Sequence, residues 1–407
     1  DSEGDGLNQT FWIFDKKKNS LKKINESSEC DLARIYRFVT LILKMKPNEH
    51  EYKVMGLAPY AKNEYLLGVY NNIFKNILKV KNCKILHKNR PKNLFRYLYQ
   101  KTRGYRFDNI AGATQILVEK ISSELFFQIF KKYKLKSFSI SGGVSMNIKM
   151  NKNLAMLPFV KKIYVAPTGT DESLALGACY YLNKNNNSNK PIENIYLGRA
   201  ISSFKVSSTS ITKKLSDKKK YLIKNKVSHK HIAKLLKRGE IIAVARDKEE
   251  FGARALGNRS IIANPSVNGI VQKINEQIKN RDFWMPFAIT ILNEKHKNYI
   301  FNNKSLDCEF MTIGFDTKLK NYERIKNGTH PYDKTVRPQI LKKKFNEKYH
   351  SIINEFYKIS DIPALLNTSL NLHGLPISST IDDILLTFTR SGLKFLYLDD
   401  RILIEKK

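Results

Sequence analysis

The sequence contains few cysteines and no long apolar run. Four cysteines occur in 407 residues, and no two of them form a Cys-x-x-Cys pair. This pattern argues against a disulfide framework or a zinc knuckle, and it predicts a reducing, cytoplasmic environment. We expect the four to be small core residues: Cys30, Cys83, Cys179 and Cys308. No run reaches the roughly 18 apolar residues that a membrane-spanning helix needs, so we expect no membrane span.

Acidic residues are also scarce, with 37 Asp and Glu against 72 Lys and Arg, which gives a formal net charge of +35. Such a charge favours association with polyanions. However, the lysines are spread along the whole chain, and no basic stripe is interleaved with aromatic residues as in nucleic-acid-binding modules. We therefore expect only non-specific contact with nucleic acid at low salt, and not a dedicated nucleic-acid-binding function.

The hydrophobic content of 42% is enough for a globular protein, and 407 residues exceed one ordinary core. A segment rich in Asn, Ser and Lys at 184–194 is typical of a linker. We therefore predict two domains, at residues 1–194 and 195–407. The chain begins at Asp1 without a methionine, and we interpret this as a cut end.

Strand-like and helical segments alternate along the chain, which predicts an α/β fold. A long amphipathic helix is expected over 113–131, where apolar residues recur at four-residue spacing. Buried strands are expected at 135–140, 163–166 and 241–245. Further elements are predicted in the second half: helices over 271–279 and 381–389, and strands at 287–292, 362–366, 395–398 and 402–404.

The segment 249–265 follows the apolar strand 241–245 and Arg246, and it brings basic and small residues together. It contains two further arginines, two glycines and a serine: Arg254, Arg259, Gly252, Gly257 and Ser260. Guanidinium groups bind phosphate oxygens through two parallel hydrogen bonds, and glycines let the main chain approach an anion. The segment taken alone is equally compatible with a plain turn whose arginines are solvated.

This segment resembles the "EFGPRALGNRS" signature of the NodU/CmcH/TobZ-type O-carbamoyltransferases, with Ala253 in place of the family's proline. Other stretches resemble the same family, in the same order along the chain: 51–60, 141–147, 167–178, 285–288, 330–339 and 366–369. At 173 the family has glycine and this chain has Ser173. The resemblance extends over nearly the whole chain.

The resemblance implies a partial actin-like ATPase domain (ASKHA, TsaD-like) without its first part, followed by a YrdC-like α/β domain. It implies that the second domain forms carbamoyl adenylate from carbamoyl phosphate and ATP. The first would then transfer the carbamoyl group to a hydroxyl of a small acceptor, such as a sugar, an antibiotic or a nodulation-factor-like molecule. Two alternatives stay open, namely a tRNA-directed relative and a non-catalytic basic binding protein. A homodimer also stays open.

For the second domain, the resemblance implies a site rich in cations. The expected ligands of ATP and carbamoyl phosphate are Arg246, Gly252, Arg254, Gly257, Arg259, Ser260, Lys279, Arg281, Asn367, Thr368 and Ser369. The expected catalytic residues are Arg254, Arg259, His330 and Arg337, with Asp333 and Thr335 in the same "HxDxTxRPQ" stretch as His330. Several cations are needed because two phosphorylated substrates would meet in one site.

For the first domain, the resemblance implies that carbamoyl adenylate contacts Lys53, Gly142, Gly143 and Asn147. It also implies an iron-type divalent metal (Fe²⁺) on Asp1 and Asp171, and Mg²⁺ with the ATP. From the residues alone, Asp171 is better explained as a helix N-cap. The family's "HHxxHA" histidines lie before the position where this sequence begins, and no histidine here replaces them by motif.

Overall fold

The computed structural model describes residues 1–183, 192–204, 206–215 and 218–407. The chain divides into two compact units, Asp1–Leu174 (unit 1) and Ala175–Lys407 (unit 2). The predicted domain boundary at 194/195 lies about 20 residues after this division. Most of the predicted linker, residues 184–191, lies outside the described residues. None of the described helices is both long enough and apolar enough to cross a membrane.

Unit 1 consists of helices and three small two-stranded sheets. Its strands are β1 (Gln9–Asp15), β2 (Ser20–Ser27), β3 (Leu78–Lys81), β4 (Lys84–His87), β5 (Ser137–Ile140) and β6 (Lys162–Val165). Its helices are α1 (Leu32–Ile42), α2 (Glu51–Leu57), α3 (Asn63–Ile73), α4 (Leu94–Lys101), α5 (Phe107–Tyr133) and α6 (Ile148–Met156). The pairs β1–β2 and β3–β4 are antiparallel, and β5–β6 is parallel.

The long helix α5 confirms the amphipathic helix predicted over 113–131. Its buried face includes Leu117, Ile121 and Ile129, three of the apolar residues that predicted it. It ends where Lys134 adopts a left-handed conformation with φ of 56°. Strand β5 follows directly, so the chain passes from α5 through β5 into the glycine pair at 142–143.

Helix α7 (Ser173–Leu182) spans the division between the units. It carries Cys179, which is exposed. The prediction of a core cysteine is therefore wrong at this position, because α7 has no buried residue. The same prediction is confirmed for the other three cysteines, which are buried: Cys30, Cys83 and Cys308.

Unit 2 contains an eight-stranded mixed sheet in the order β13-β10-β14-β9-β8-β15-β16-β7. Its strands are β7 (Tyr221–Lys224), β8 (Ile242–Ala245), β9 (Arg259–Ala263), β10 (Ala288–Leu292), β11 (Phe315–Asp316), β12 (Thr335–Val336), β13 (Pro338–Leu341), β14 (Ala364–Ser369), β15 (Phe395–Leu398) and β16 (Ile402–Lys406). Its helices are α8 (Ser208–Lys214), α9 (His229–Lys237), α10 (Ile270–Ile274), α11 (Tyr322–Ile325), α12 (Glu347–Ser360) and α13 (Ile381–Arg390).

The sheet forms the core of unit 2, because every residue of β8, β9, β10, β13 and β15 is buried. Strands buried on both faces have continuous apolar runs, as in the Ile-Ala-Val-Ala of β8. Helices α9 and α12 pack against each other. The predicted mixture of helices and strands is confirmed as an α/β fold with one large mixed sheet.

Two predicted elements differ in detail from the structure. The helix expected over 271–279 is α10 followed by a π-helical turn, Asn275–Lys279. Such turns widen a helix locally and are frequent at functional sites. The segment 249–265 is not a plain turn, because its second half contains the central strand β9.

Candidate functional site

One edge of the large sheet gathers most of the predicted site residues of unit 2. Strand β8 ends beside the start of β9, since Ala245 pairs with Arg259. Strand β14 ends on the other side of β9, where Ser369 pairs with Ser260. Strands β10 and β13 also begin at this edge. We call this region the cationic edge, because Arg246, Arg259 and Arg337 lie at these strand ends.

The loop before β9 is folded around the buried carboxylate of Glu250, which is 4% exposed. Its Oε1 atom accepts hydrogen bonds from the backbone N–H groups of Leu256 at 2.7 Å, Asn258 at 2.8 Å and Arg259 at 3.2 Å. One carboxylate thus holds three main-chain N–H groups within the four residues 256–259. Sequence reasoning missed this residue, although an acidic residue just before a glycine-rich basic loop was a visible signal.

Gly257 fixes the shape of the same loop by a close approach to an aromatic ring. Its φ is +112°, a conformation that side chains disfavour, and an added Cβ would lie 2.2 Å from Cδ1 of Tyr349. The backbone N–H of Gly257 donates a 3.0 Å hydrogen bond to Oγ of Ser260. The predicted ligands Gly257 and Ser260 therefore also have a clear structural function.

Arg259 is fully buried, and its guanidinium group is bound to main-chain carbonyls. Its Nη1 donates to the carbonyl oxygens of Arg246 at 2.6 Å and Asn258 at 3.0 Å, and Nη2 donates to that of Arg199 at 2.9 Å. Burial lowers its pKa, while nearby acidic groups, Glu250 first among them, raise it. These bonds fasten neighbouring segments of the sheet edge together.

Arg246 is fully buried as well, and its charge is balanced by Asp400. Nη1 of Arg246 lies 3.1 Å from Oδ1 of Asp400, and the guanidinium lies over the ring of Tyr349 at 5.5 Å. The pair is close enough for an ion pair but lacks hydrogen-bond geometry. Burial works against ionisation of Asp400, yet Arg246 and His229 outweigh it, and the pKa of Asp400 is lowered. Asp400 carries no motif and was not predicted.

Arg337 lies between β12 and β13 and is half-buried among other cations. Burial, and then the charges of Arg254 and Arg281, push the pKa of Arg337 well below its usual range. A guanidinium group does not lose its proton in proteins, so the lowered pKa expresses the cost of burying this charge and, after that, repulsion from the neighbouring arginines. Within the part of the chain that the structure describes, the Arg337 guanidinium has no hydrogen bond or salt bridge. We call Arg254, Arg281 and Arg337 the arginine cluster.

Lys279 belongs to the same neighbourhood and is 3% exposed. Its ammonium group donates to the side chain of Asn371 at 2.6 Å and to Oγ of Ser369 at 3.2 Å, and it also reaches both main-chain carbonyls of these residues. Among the described residues no carboxylate forms a salt bridge with it. Burial, and then the charge of Arg281, lower its pKa well below the usual value. Asn371 was missed by sequence reasoning.

The end of β14 supplies neutral groups between these cations. Oγ1 of Thr368 accepts a 3.1 Å hydrogen bond from Nη2 of Arg281, whose guanidinium lies 5.0 Å from the ring centre of Phe287. The side-chain amide of Asn367 donates to the carbonyl of Ala255 and to Oγ1 of Thr290. The structure therefore brings Lys279, Arg281, Thr368 and Ser369 together, as the sequence predicts.

His330 is 2% exposed and forms part of a tight turn before Arg337. Its Nδ1 accepts hydrogen bonds from the backbone N–H groups of Tyr332 at 3.2 Å and Asp333 at 3.4 Å. The carboxylate of Asp333 accepts from Oγ1 of Thr335 at 2.7 Å. These hydrogen bonds form a turn just before Arg337. The catalytic function of His330 stays a prediction.

In unit 1, the glycine pair lies beside Asp1. A Cβ on Gly143 would lie 3.5 Å from Oδ1 of Asp1, and one on Gly142 would lie 3.9 Å from Oδ2. A Cβ on Gly169 would lie 2.9 Å from the carbonyl oxygen of Gly142, so the loop before Asp171 also lies against this pair. Asn147 caps α6 by accepting from the N–H of Met150. The predicted residue Lys53 lies on α2, half-buried.

The expected metal site is not completed by this chain. Asp171 is exposed, and Oδ1 of Asp1 accepts a hydrogen bond from the backbone N–H of Ser2. Across residues 1–183, 192–204, 206–215 and 218–407, no group of three or more His, Cys, Asp or Glu side chains is arranged to hold a metal ion. The residues present therefore do not by themselves fit the iron-type metal that the resemblance implies.

Comparison with known protein families gives two matches that together span most of the chain. A model described as carbamoyltransferase N-terminus matches residues 1–180, and a model described as carbamoyltransferase C-terminus matches residues 233–406. An uncharacterized protein of Methanocaldococcus jannaschii is 31% identical over 414 residues, which cover 100% of this chain and 78% of that protein. The N-terminal and C-terminal parts of the chain therefore match the N-terminal and C-terminal models of one family.

Other relatives have descriptive names, and two of them are as follows. The nodulation protein NolNO of Sinorhizobium fredii is 27% identical over 368 residues, covering 88% of this chain and 53% of that protein. The 3'-hydroxymethylcephem-O-carbamoyltransferase of Amycolatopsis lactamdurans is 22% identical over 351 residues, covering 86% and 64%. The chain spans less than two thirds of the length of each of these two relatives.

Among solved structures, full-length HypF in its phosphate- and nucleotide-bound form is similar to part of the chain. The TM-score is 0.30 at 16% identity, and the match covers 46% of this chain and 22% of HypF. A likeness this weak supports no statement about the fold or the ligands of this chain.

Proposed function

The chain belongs to the carbamoyltransferase family, and on that premise we propose that unit 2 forms carbamoyl adenylate from carbamoyl phosphate and ATP. Unit 1 then transfers the carbamoyl group to a hydroxyl of a small-molecule acceptor. The proposal makes unit 2 a YrdC-like domain and unit 1 a partial actin-like (ASKHA, TsaD-like) domain.

The observation that carries the proposal is the arginine cluster beside Lys279. Cations that crowd together cost free energy, and an anion placed among them relieves that cost. Burial and repulsion from neighbouring arginines lower the pKa of both Arg337 and Lys279. A bound anion would stabilise the charged form of both side chains. Triphosphate and carbamoyl phosphate together supply several negative charges to such a site.

The atoms of the proposed reaction balance with one water molecule. Carbamoyl phosphate, ATP and water give carbamoyl adenylate, inorganic phosphate and pyrophosphate. Water first displaces phosphate from carbamoyl phosphate: the water oxygen bonds to the carbonyl carbon, the bond from that carbon to the phosphate oxygen breaks, and carbamate and inorganic phosphate result. A carbamate oxygen then bonds to the α-phosphorus of ATP, and the bond from that phosphorus to the pyrophosphate oxygen breaks. Arg254, Arg281 and Arg337 would hold the charge that spreads onto the phosphoryl oxygens, with Thr368 and Ser369 as neutral donors.

Arg246, Arg259 and Ser260 have a different function in this proposal from the one that the sequence favoured. Their hydrogen bonds and ion pair are made within the protein, so we assign them to holding the loop that presents Arg254. Gly252, with a φ of +104°, would let that loop turn toward the ligand. His330 would act by fixing the position of Arg337.

For unit 1, the glycine pair at 142–143 presents main chain without side chains beside Asp1, and the adenylate would lie against that main chain. Asn147 and Lys53 remain the proposed polar contacts of that ligand. Asp1 and Asp171 are the carboxylates that would face a metal. Since the described residues supply no third ligand, we derive no step through iron, and Mg²⁺ enters only as the companion of ATP.

The test is carbamoyl-phosphate-dependent release of pyrophosphate from ATP by the purified chain, with mass-spectrometric detection of carbamoyl adenylate. We expect release that requires both substrates. Pyrophosphate release that is the same with and without carbamoyl phosphate, or none under any condition, would contradict the proposal.

A further inference from the structure

A cavity of about 860 Å³ opens beside α5 in unit 1, and neither the motifs nor the comparisons assign it a function. Its volume lies within the range of small-molecule sites, about 300–1,000 Å³. Most of its wall is side-chain carbon, contributed by Val80, Ile116, Ile121, Phe127, Leu157 and Phe159. Such a wall favours an apolar ligand body, because the free energy falls when apolar surface is removed from water.

Glu119 is one of two carboxylates that line this mostly apolar cavity, the other being Glu124. It is half-buried, and its Oε1 accepts a 2.8 Å hydrogen bond from Nε2 of Gln115. Burial raises the pKa of Glu119, against hydrogen bonds from Gln115 and Asn153 and the charge of Lys149. A carboxylate in such surroundings is a strong acceptor for a hydroxyl that enters the cavity.

Glu119 is connected to the glycine pair through a short network. Gln115 and Asn147 exchange two side-chain hydrogen bonds, of 3.1 Å and 2.9 Å, and the hydroxyl of Tyr36 donates to Gln115 at 3.1 Å. Asn147 follows the helical turn Gly143–Met146 directly. The carboxylate in the cavity is therefore two hydrogen bonds away from the segment proposed to bind the carbamoyl donor.

We propose that this cavity binds an amphipathic hydroxyl compound, with its apolar body against the carbon wall and a hydroxyl donating to Glu119. The identification of this compound as the carbamoyl acceptor rests on the proposed function. The binding itself does not, because it is a property of unit 1 alone. Lys79 and Glu124 stand at the cavity as charges of opposite sign, which suits a neutral polar head.

The probe is octyl β-D-glucoside below its micelle-forming concentration, and the control ligand is the same compound with every hydroxyl methylated. Binding to the full chain is measured by isothermal titration calorimetry without nucleotide. We expect saturable binding of the glucoside, at least about tenfold tighter than that of the methylated control. Equal affinity for the two ligands, or no saturable binding of either, would overturn the proposal.

Two variants locate the binding site. Ser123→Trp places a large side chain in the cavity, and Lys131→Trp places the same side chain on an exposed position of α5 outside it. We expect Ser123→Trp to lower the affinity at least about tenfold, as for a filled pocket, and Lys131→Trp to leave it unchanged. Equal losses of affinity in the two variants would contradict the assignment. A dimer that dissociates on dilution and that Ser123→Trp alone abolishes would also contradict it, because the cavity would then be an interface between two copies of the chain.

Glu119→Gln tests the carboxylate, and we expect a loss of about threefold or more in glucoside affinity with no change for the methylated control. Hydrogen exchange on the unmodified chain keeps the test decisive if Ser123→Trp fails to fold. The glucoside should slow exchange in 79–80 and 116–124, and unchanged exchange there would refute the site. Failure of pyrophosphate release is a separate result, since that assay contains no glucoside.

Discussion

Nη1 of Arg259 donates a 2.6 Å hydrogen bond to the main-chain carbonyl oxygen of Arg246. Both residues belong to the basic motif of the sequence, and both are fully buried. The bond joins the end of β8 to the start of β9, so it acts on the sheet and not on a ligand. The motif thus has two parts, a buried pair that joins the two strands and Arg254, which belongs to the arginine cluster.

The first prediction separates these two parts by comparing Arg259→Ala with Arg254→Ala. Arg259→Ala leaves several buried carbonyls without a donor, and we expect it to lower the free energy of unfolding by about 3 kcal/mol or more. Arg254→Ala should leave this free energy nearly unchanged while lowering the rate of pyrophosphate release at least about tenfold. Urea unfolding and the release assay measure the two quantities. Equal stability loss in both variants would show that the motif has no such division.

The fold was predictable where apolar periodicity dominates. The strand at 241–245 and the helices at 113–131 and 381–389 are present because an apolar face must be buried, and the sequence displays that face. Strand β9 was not predictable in the same way. It begins with Arg259 and Ser260, polar residues that become acceptable in a central strand only because tertiary partners satisfy them.

The site was predictable to the extent that it follows short motifs. Lys279, Arg281, Thr368 and Ser369 meet as expected, although they lie far apart in sequence. Asp400 and Asn371 were not predictable, because their importance comes from the partner that the fold places next to them. The opposite holds for Arg246, whose residue type suggested a ligand contact while its surroundings give it an internal ion pair.

The second prediction concerns the buried ion pair of Arg246 and Asp400. Asp400→Asn leaves an uncompensated buried guanidinium, and we expect a loss of about 3–5 kcal/mol in the free energy of unfolding at neutral pH. Asparagine tolerates the left-handed backbone of this position, where φ is 52°, so the loss reports the charge.

The same pair predicts a pH dependence with a definite sign. The pKa of Asp400 is lowered in the folded chain, so its contribution is complete above its unfolded pKa and is lost as the pH falls through its folded pKa. The stability difference between the wild type and Asp400→Asn should therefore shrink below about pH 4. Urea titrations across this range measure it, and a difference that stays constant down to the lowest pH would refute the assignment.

The third prediction concerns the contact of Gly257 with the ring of Tyr349. Gly257→Ala combines a disfavoured φ with a clash, whereas Gly269→Ala has a φ of +72° and open space around its Cβ. We expect Gly257→Ala to be more destabilising than Gly269→Ala by about 1–3 kcal/mol, the usual cost of overpacking. Thermal and urea unfolding provide the comparison. Equal losses would mean that the ring moves aside freely and does not shape the loop.

The fourth prediction follows from the lowered pKa of Lys279. Inorganic pyrophosphate bound beside it should raise that pKa, so binding should take up protons at pH values between the pKa of Lys279 in the free chain and its pKa in the complex. Calorimetric titrations in buffers of different ionisation enthalpy measure this uptake. We expect it in the wild type and not in Lys279→Met. Binding of pyrophosphate without proton uptake would show that Lys279 keeps its proton in the free chain or does not face the anion.

The most direct test of the arginine cluster is the rate of carbamoyl-phosphate-dependent pyrophosphate release by Arg337→Met, compared with Lys344→Met, which removes an equal charge at an exposed position. Arg337 has no protein partner among the described residues, so its removal should leave the fold intact. We predict a rate at least about tenfold lower for Arg337→Met, because a charged contact to the phosphoryl oxygens is lost, and an unchanged rate for Lys344→Met. Wild-type turnover in a folded Arg337→Met protein would contradict the account.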